Sequence, residues 1–433
     1  MIIALVAFGI LFVALFTRVP LGFILMTGGI VGLGLIHPHG LSAGLLIGAQ
    51  QLISLVLDFQ FSVLPLFILM GVFVEKAGLA DELFDACRKW MGHWRGGVAI
   101  GAVAACGGFA AISGSTAATA ATMSKVAMPS LRRFKYNPGF AAGTIAAGGT
   151  LGILIPPSGA LIVYGLLTET NVASLFMAGL IPGVMSVLAY MVVAATVATV
   201  RPDWGPRGER YSWPERWVAL SRIWGVLVLF LLIIGGIFIG LFTTTEAGGF
   251  GAGGALLFAM ARRRISWRGF LDGLIEAARL SAMIFVMIAG ALTLNQFVNF
   301  AGLPQMAVDF IASMHLSPVA ALLGIVLIYV VLGIFVEGYA MIFLTVPVFT
   351  PVVIALGYDP IWWGIVLVML VEFALIHPPV GLNLYILKSM NPDIPISRIF
   401  IGISPYYVAD VIRISLVITF PALALFLPRL LNP

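Results

Sequence analysis

Charge is what this chain has least of. Only 9% of its 433 residues are Asp, Glu, Lys or Arg, against roughly 25% in a soluble domain, and this excludes a water-facing globular surface. Cysteine is nearly absent: Cys87 in a charged stretch and Cys106 in an apolar one are the whole complement, which excludes a disulfide framework or a cysteine-rich metal cluster. Enzyme signatures are missing too. The sequence has no His-Glu-x-x-His and no phosphate-binding Gly-x-x-x-x-Gly-Lys, so it reads as no enzyme and carries no ATP motor of its own. His37-Pro38-His39 stands in a loop without a third ligand and reads as loop chemistry.

What is there is apolar. Hydrophobic residues make up 61% of the chain and the mean hydropathy is +1.11, so its solvent is lipid and the fold class is an all-α polytopic membrane protein. The apolar start runs from Met1 to Phe16 without a basic leader, and it reads as a first membrane helix rather than a cleaved signal. A span takes about 20 apolar residues. Ten candidates follow, at 1–17, 19–37, 61–76, 138–168, 172–200, 222–242, 246–261, 280–300, 360–389 and 399–427. Two further apolar stretches, 97–128 and 318–355, have a small or acidic break near the middle and read as re-entrant hairpins. Backbone bends at membrane depth only under cover of protein or a water-filled cavity, which puts both hairpins inside the molecule. Segments 41–57, 79–94, 266–279 and 304–316 mix apolar with polar residues and read as helices along the membrane surface.

Basic residues orient the layout, because cytoplasmic loops hold them. With the N-terminus outside, Arg18, Lys76 to Arg95, Lys125 to Lys135, Arg201 to Arg222, Arg262 to Arg268, Lys388 and Arg398 all fall inside. The predicted outside loops hold neither Lys nor Arg, and only Arg429 near the C-terminus falls outside. The net charge of +5 therefore reports orientation rather than a nucleic-acid partner. Both termini are expected on the periplasmic side, and no Lys or Arg is expected near the midplane.

The second half repeats the first. Ala77-Gly78-Leu79 recurs as Ala301-Gly302-Leu303, an offset of 224 (301 − 77), and Ser113-Gly114 falls opposite Glu337-Gly338 at the same offset. Tyr136-Asn137-Pro138 matches Tyr358-Asp359-Pro360, and Pro156-Pro157 matches Pro378-Pro379, both at 222 (378 − 156). Five crossings per copy is an odd number, so the copies are expected to be inverted, with the first hairpin entering from the cytoplasm and the second from the opposite face. A duplicated membrane protein with broken helices usually carries something across the bilayer. The expected organisation is scaffold-type helices at 1–76, a surface arm, hairpin and broken helix at 77–200, a cytoplasmic linker at 201–221, scaffold-type helices at 222–300, and the second arm, hairpin, broken helix and last helix at 301–433.

Three places concentrate polar groups inside apolar surroundings. At the first hairpin tip, Ser113, Ser115, Thr116 and Thr119 offer oxygens while Gly114 lets the chain turn and bare its carbonyls. Such a tip suits a hard cation, or a carboxylate resting on helix N-termini; close helix packing is the structural alternative. In the first broken helix the two prolines of Gly149-Thr150-Leu151-Gly152-Ile153-Leu154-Ile155-Pro156-Pro157-Ser158 remove two donors, so carbonyls from Gly152 to Leu154 lose their helical partners beside Thr150 and Ser158. Its counterpart runs from Glu372 through His377-Pro378-Pro379-Val380-Gly381-Leu382-Asn383. Buried charge at the bilayer centre costs about 3 kcal/mol or more and so marks function. Glu337 at the second tip and Glu372 are the candidates, to ligate a cation or carry a proton.

In these motifs, together with Phe176 to Gly183, the chain resembles over nearly its whole length the large membrane subunit of tripartite ATP-independent periplasmic (TRAP) transporters. The resemblance implies a sodium-driven importer of organic acids in a bacterial inner membrane. A fixed scaffold, a transport domain moving like an elevator and two gating hairpins come with it. Also implied are sodium as the coupling ion without other cofactor, a smaller four-helix membrane subunit, and a soluble periplasmic protein delivering a carboxylate such as sialic acid or a C4-dicarboxylate. Carried onto matching positions, it gives one cation region at Ser113, Gly114, Ser115, Thr150, Gly152, Ile153 and Leu154, and another at Gly338, His377, Gly381 and Asn383. The substrate is then expected between the tips, at Thr116, Pro157, Ser158, Glu337, Glu372, Pro379 and Asn383. Two positions depart from the pattern: His377 stands where Thr is more frequent, and Glu337 where the shorter Asp is. A stand-alone sodium-dicarboxylate carrier, a membrane-embedded enzyme using Glu337, Glu372 and His377, and a passive channel are the competing readings.

Overall fold

The computed structural model describes residues 9–10, 13–14 and 19–431, and over these the chain is helical with no strand. Apart from those first four positions, the expected span 1–17 lies outside the described residues. Each hairpin is a pair of helices meeting at its polar break. Gly97–Ser113 and Thr116–Arg133 join through Gly114, at φ +61°, and Ser115. Pro318–Phe335 and Gly338–Ala355 join through Val336 and Glu337. The broken helices interrupt at their double prolines. Pro138–Thr150 and a short turn at Leu151–Ile153 precede Gly159–Thr168, and Pro360–Ala374 precedes Leu382–Met390.

The boundaries recur in step with the sequence offset. Asn137 and Asp359 cap the two broken helices alike, each accepting from the next two free backbone N–H groups, with proline at the first helical position. Gly78 and Gly302, both left-handed at φ +70° and +68°, start the helices Leu79–Met91 and Leu303–Ser313. Packing crosses between the halves. Leu21–Ile36 lies on Trp267–Phe300, as Thr244–Ala261 lies on Val63–Lys76. Pro138–Thr150 lies on Ile396–Thr419, and Pro360–Ala374 on Val172–Val200. Small residues permit the close approaches that hold helices together without a hydrophobic driving force: a Cβ on Gly290 would stand 2.4 Å from the Gly22 carbonyl oxygen, and one on Gly402 only 2.0 Å from that of Gly139.

Several elements differ from expectation. Segment 266–279 is no separate surface helix but the start of one 34-residue helix, Trp267–Phe300, because Asp272, Glu276 and Arg279 recur at helical spacing with no proline to stop them. The 201–221 linker is half helical: Glu215 accepts from the Ser212 backbone at 2.8 Å and opens Trp213–Arg222, which the next helix leaves at a 43° bend. The span 399–427 is interrupted. Its first part ends at Thr419 and a second helix starts at Ala422, since Pro421 lacks an N–H and disfavours helical backbone at Phe420. Gly40–Leu57, expected along the surface, is one of seven helices among the described residues long and apolar enough to cross a membrane.

Candidate functional site

A cavity of about 470 Å³ lies where the two hairpin tips face each other. Ser113, Gly114, Ser115 and Thr116 line it from the first tip, Glu337 and Tyr339 from the second. Pro157, Gly159 and Leu382 contribute from the broken helices. Opposite stand Val63–Lys76 and Trp267–Phe300, mostly through Leu, Ile, Met and Phe, with Glu75 and Glu276 as carboxylates. These two were not singled out in the sequence. Glu75 sits at the end of the expected span 61–76 and Glu276 in 266–279, expected along the membrane surface, and Glu276 pairs with Lys76 at 3.7 Å. Among the lining residues none is basic.

The first break and first tip form one tightly packed unit. Thr119 Oγ1 donates to the Ser115 carbonyl at 2.7 Å and lies 3.0 Å from Ser113 Oγ. A Cβ on Gly152 would stand 2.8 Å from the Ser115 carbonyl oxygen, so only glycine lets the break and the tip touch here. Ser158 does not face the cavity. It is fully buried, its hydroxyl donating to the Ile153 carbonyl and accepting from Leu161 N at 3.3 Å. Of the region expected for a cation, Ser113, Gly114, Ser115 and Gly152 thus come together, whereas the Ile153 carbonyl accepts from Ser158, the Leu154 carbonyl faces Gly179 and the Thr150 hydroxyl turns to Glu372.

The second break is arranged differently. Gly338 packs on Val371 and Leu375, so the second tip sits on the helix before the break. Tyr407 donates to the Ile376 carbonyl at 2.8 Å and Tyr385 to the Pro379 carbonyl at 3.0 Å, while Pro379 itself is exposed and does not line the cavity. Gly381 approaches the His377 carbonyl oxygen, 3.1 Å from its Cβ position. His377, ringed by Phe373 and Tyr407, has a buried Nδ1 with no hydrogen-bond partner, and so has Asn383 Oδ1. Asn383 reaches across instead: its Nδ2 donates to the Ala146 carbonyl of the first broken helix at 3.2 Å.

The two breaks also meet through charge, and here Arg413, halfway along the expected span 399–427, counters the expectation of no Lys or Arg near the midplane. Arg413 is 1% exposed. Its Nη1 donates to Glu372 Oε2 at 2.6 Å and to Ser186 Oγ at 2.5 Å, and its Nε to Asp410 Oδ1 at 2.8 Å. Tyr190 Oη donates to Asp410 Oδ1 at 2.6 Å, and Thr150 Oγ1 donates to Glu372 Oε1 at 2.9 Å. Glu372 therefore faces neither the cavity nor an open ion path; its carboxylate is engaged inside the protein. Arg413 escaped the sequence reading because Ile-Arg-Ile sits three residues after Asp410, an (i, i+3) pair that masks a buried cation as a helix-face salt bridge.

Arg132 at the base of the first hairpin donates to Asp393 at 2.8 Å and to Asn391 at 3.0 Å, tying it to the loop after the second broken helix. The Arg132 hydrogen bond holds the Asp393 carboxyl below its usual range.

A sequence model of the family described as "Tripartite ATP-independent periplasmic transporter, DctM component" matches residues 8–423. The C4-dicarboxylate TRAP transporter large permease protein DctM of Pseudomonas aeruginosa is 37% identical over 85% of this chain and 86% of its own. The sialic acid TRAP transporter large permease protein SiaM of Vibrio cholerae is 32% identical over 96% of both. Among solved structures, the YdaH transporter of Alcanivorax borkumensis superposes with a TM-score of 0.66 over 90% of this chain and 91% of that one. At 13% identity that likeness is one of fold alone. The relatives are permease subunits, so the cavity between the tips belongs to a transporter and not to an enzyme. The chain belongs to the DctM family of tripartite ATP-independent periplasmic transporters and is a multi-pass large permease subunit.

Proposed function

We propose that this subunit imports an organic acid, driven by sodium, through the cavity between the hairpin tips. The observation that carries the reading is that Ser113 to Thr116, Pro157 and Glu337, far apart in sequence, line one cavity of about 470 Å³, a volume suited to a small organic ligand. The substrate class is a carboxylate, in line with the C4-dicarboxylate and sialic acid named for the relatives. Thr116, Pro157 and Glu337 touch it, while Ser158, Glu372 and Asn383 shape the breaks behind it and Pro379 lies outside.

No basic side chain lines the cavity, so the acid's charge is met by sodium ions, hydroxyls and helix N-termini. One ion sits among Ser113, Gly114, Ser115, Thr150 and the carbonyls of Gly152, Ile153 and Leu154. The other sits near Gly338, His377 and Gly381, where the unpartnered Asn383 Oδ1 supplies an acceptor. Each charge that moves through the membrane field gains about 2.3 kcal/mol per 100 mV, so two or more sodium ions draw an anion inward. The halves act as an inverted repeat, supported by the matching caps at Asn137 and Asp359. Val63–Lys76 and Trp267–Phe300 belong to a fixed scaffold past which the hairpins and breaks slide like an elevator. The chain works in a bacterial inner membrane, termini periplasmic, with a small four-helix membrane subunit and a periplasmic binding protein that selects the cargo.

The test is uptake by proteoliposomes holding the membrane subunits, given the binding protein and a panel of carboxylates, with and without a sodium gradient. Sodium-dependent uptake that needs the binding protein is expected. Undiminished uptake without sodium overturns the coupling, and uptake without the binding protein points to a stand-alone carrier.

A further inference from the structure

Thr150 and Glu372 occupy the same place in the two broken helices, 222 residues apart, and they touch. Thr150 is the last residue of Pro138–Thr150 and leads straight into the turn at Leu151–Ile153. Glu372 lies in the last turn of Pro360–Ala374, five residues before His377. The hydroxyl of Thr150 has one hydrogen and two acceptors within reach, Glu372 Oε1 at 2.9 Å and the Ala147 carbonyl at 2.7 Å. Whether the two breaks are bolted together depends on where the Glu372 carboxylate is held.

Arg413 holds it. The guanidinium spreads over Glu372, Ser186 and Asp410 at once, and Tyr190 closes the ring on Asp410. These side chains come from four elements: Thr150 and Glu372 from the two broken helices, Ser186 and Tyr190 from Val172–Val200, and Asp410 and Arg413 from Ile396–Thr419. Every one is buried. A planar five-donor fork is required for this span; an ammonium reaches one acceptor well and leaves the others unmet.

We propose that Arg413 is a positioning residue that, through Glu372 and Thr150, couples the two cation regions, so that occupation of one break favours occupation of the other. The proposal rests on the sodium-coupled reading. Coupling between sites needs a contiguous element that both sites bias, and the Thr150–Glu372 contact joins the turn at Gly152 to the helix that ends at Ala374, just before His377. With Arg, Glu and Asp charged the cluster carries one net negative charge, so replacing Glu372 by Gln leaves a balanced Arg413–Asp410 pair and a side chain of the same shape.

The experiment measures initial uptake in proteoliposomes against sodium concentration, with the complete complex, for the wild type, Arg413→Lys, Glu372→Gln and Ser186→Ala. For the wild type a Hill coefficient above 1 is expected. In Arg413→Lys and Glu372→Gln it falls to about 1 and half-saturating sodium rises about fivefold or more, while Ser186→Ala, which removes one of the arginine's four hydrogen-bond partners, falls between. Melting of each variant in detergent separates this from simple loss of fold. A structural role alone lowers the yield, the melting temperature and the maximal rate but leaves the Hill coefficient unchanged in the folded fraction. That result overturns the proposal, and if the two stronger variants do not fold, an unchanged Hill coefficient in Ser186→Ala overturns it equally. A wild type with no sodium dependence at all removes the sodium-coupled reading itself, and this inference with it. A wild type with sodium dependence but a Hill coefficient of 1 sinks the coupling alone.

Discussion

Gly114 and Pro157 meet so closely that a Cβ on Gly114 would stand 2.5 Å from the Pro157 carbonyl oxygen. Gly114 turns the first hairpin at φ +61°, and Pro157 is the second proline of the first break. The tip and the break therefore share one backbone contact at the edge of the cavity that both line. Two costs fall on any side chain at Gly114. Left-handed backbone costs an L-residue about 1–2 kcal/mol, and the clash is with backbone that has no rotamer to escape into. Gly114→Ala is expected to fold, because the tip is local, and to lose uptake by about tenfold or more, which corresponds to about 1.4 kcal/mol. Uptake within twofold of wild type from a monodisperse preparation would show that this contact is not part of the working site.

Glu337 has two jobs that substitution separates. Its carboxylate accepts from Ala340 N at 3.2 Å and so caps the second helix of its hairpin, and it lines both the main cavity and a smaller one of about 220 Å³ behind the tip. Gln keeps an acceptor for the cap but not the charge; Ala keeps neither. If the charge serves the cargo or its ions, Glu337→Gln and Glu337→Ala lose uptake to a similar degree. Only the Ala variant also loses about 1 kcal/mol of stability through the missing cap, read as a lower melting temperature in detergent. A Gln variant that transports as the wild type does would reduce Glu337 to a capping residue.

The hairpin tips and the breaks were legible because each is written in residues that cannot do otherwise. Gly114 between two serines and two successive prolines interrupt any helix, and the repeat of Asn137-Pro138 as Asp359-Pro360 marks the helix starts that the caps then make. Less legible was anything that depends on which elements come together. Arg413 looks, in sequence, like one basic residue on a helix beside an acidic one; only the packing of Ile396–Thr419 on both broken helices brings Arg413 to Glu372 on the second. Ser158 and Asn383 carry the chemistry of ligands in sequence, yet Ser158 is used within its own break and Asn383 to reach the other one. The continuity of Trp267–Phe300 was hidden because hydropathy changes along it while helical spacing does not.

Close glycine packing makes a stability prediction with an internal control. Gly402 lies so near the first broken helix that a Cβ would stand 2.0 Å from the Gly139 carbonyl oxygen, whereas a Cβ on Gly324, also inside a helix, meets nothing within 4 Å. Gly402→Ala forces two helix backbones apart and is expected to cost about 1–3 kcal/mol. Gly324→Ala is expected to be neutral or stabilising by up to about 1 kcal/mol, since alanine loses less backbone freedom in a helix. Thermal unfolding of both variants in the same detergent checks this. Equal melting temperatures would mean that the two helices separate at no cost.

The elevator reading makes a demand on the contact between Gly71 and Ser113. Gly71 lies on Val63–Lys76, assigned to the scaffold, and Ser113 at the first tip, assigned to the moving part. A Cβ on Gly71 would stand 2.6 Å from the Ser113 carbonyl oxygen and 3.7 Å from its Cα, a clash that the tip relieves by backing off slightly, which leaves the pair within reach of a disulfide, whose Cα atoms sit about 4.4–6.8 Å apart. If the tip slides past the scaffold, this contact exists in one state and must break in every cycle. Gly71→Cys with Ser113→Cys, in a background where Cys87 and Cys106 are alanine, is therefore expected to lose uptake by about tenfold or more on oxidation and to regain it on reduction, a change of about 1.4 kcal/mol or more. Comparing the oxidised and reduced forms of one protein removes any effect of losing the Ser113 hydroxyl. Fully cross-linked protein that transports at the reduced rate would mean that the first tip stays on Val63–Lys76 throughout, and movement would then have to be sought in the second hairpin alone.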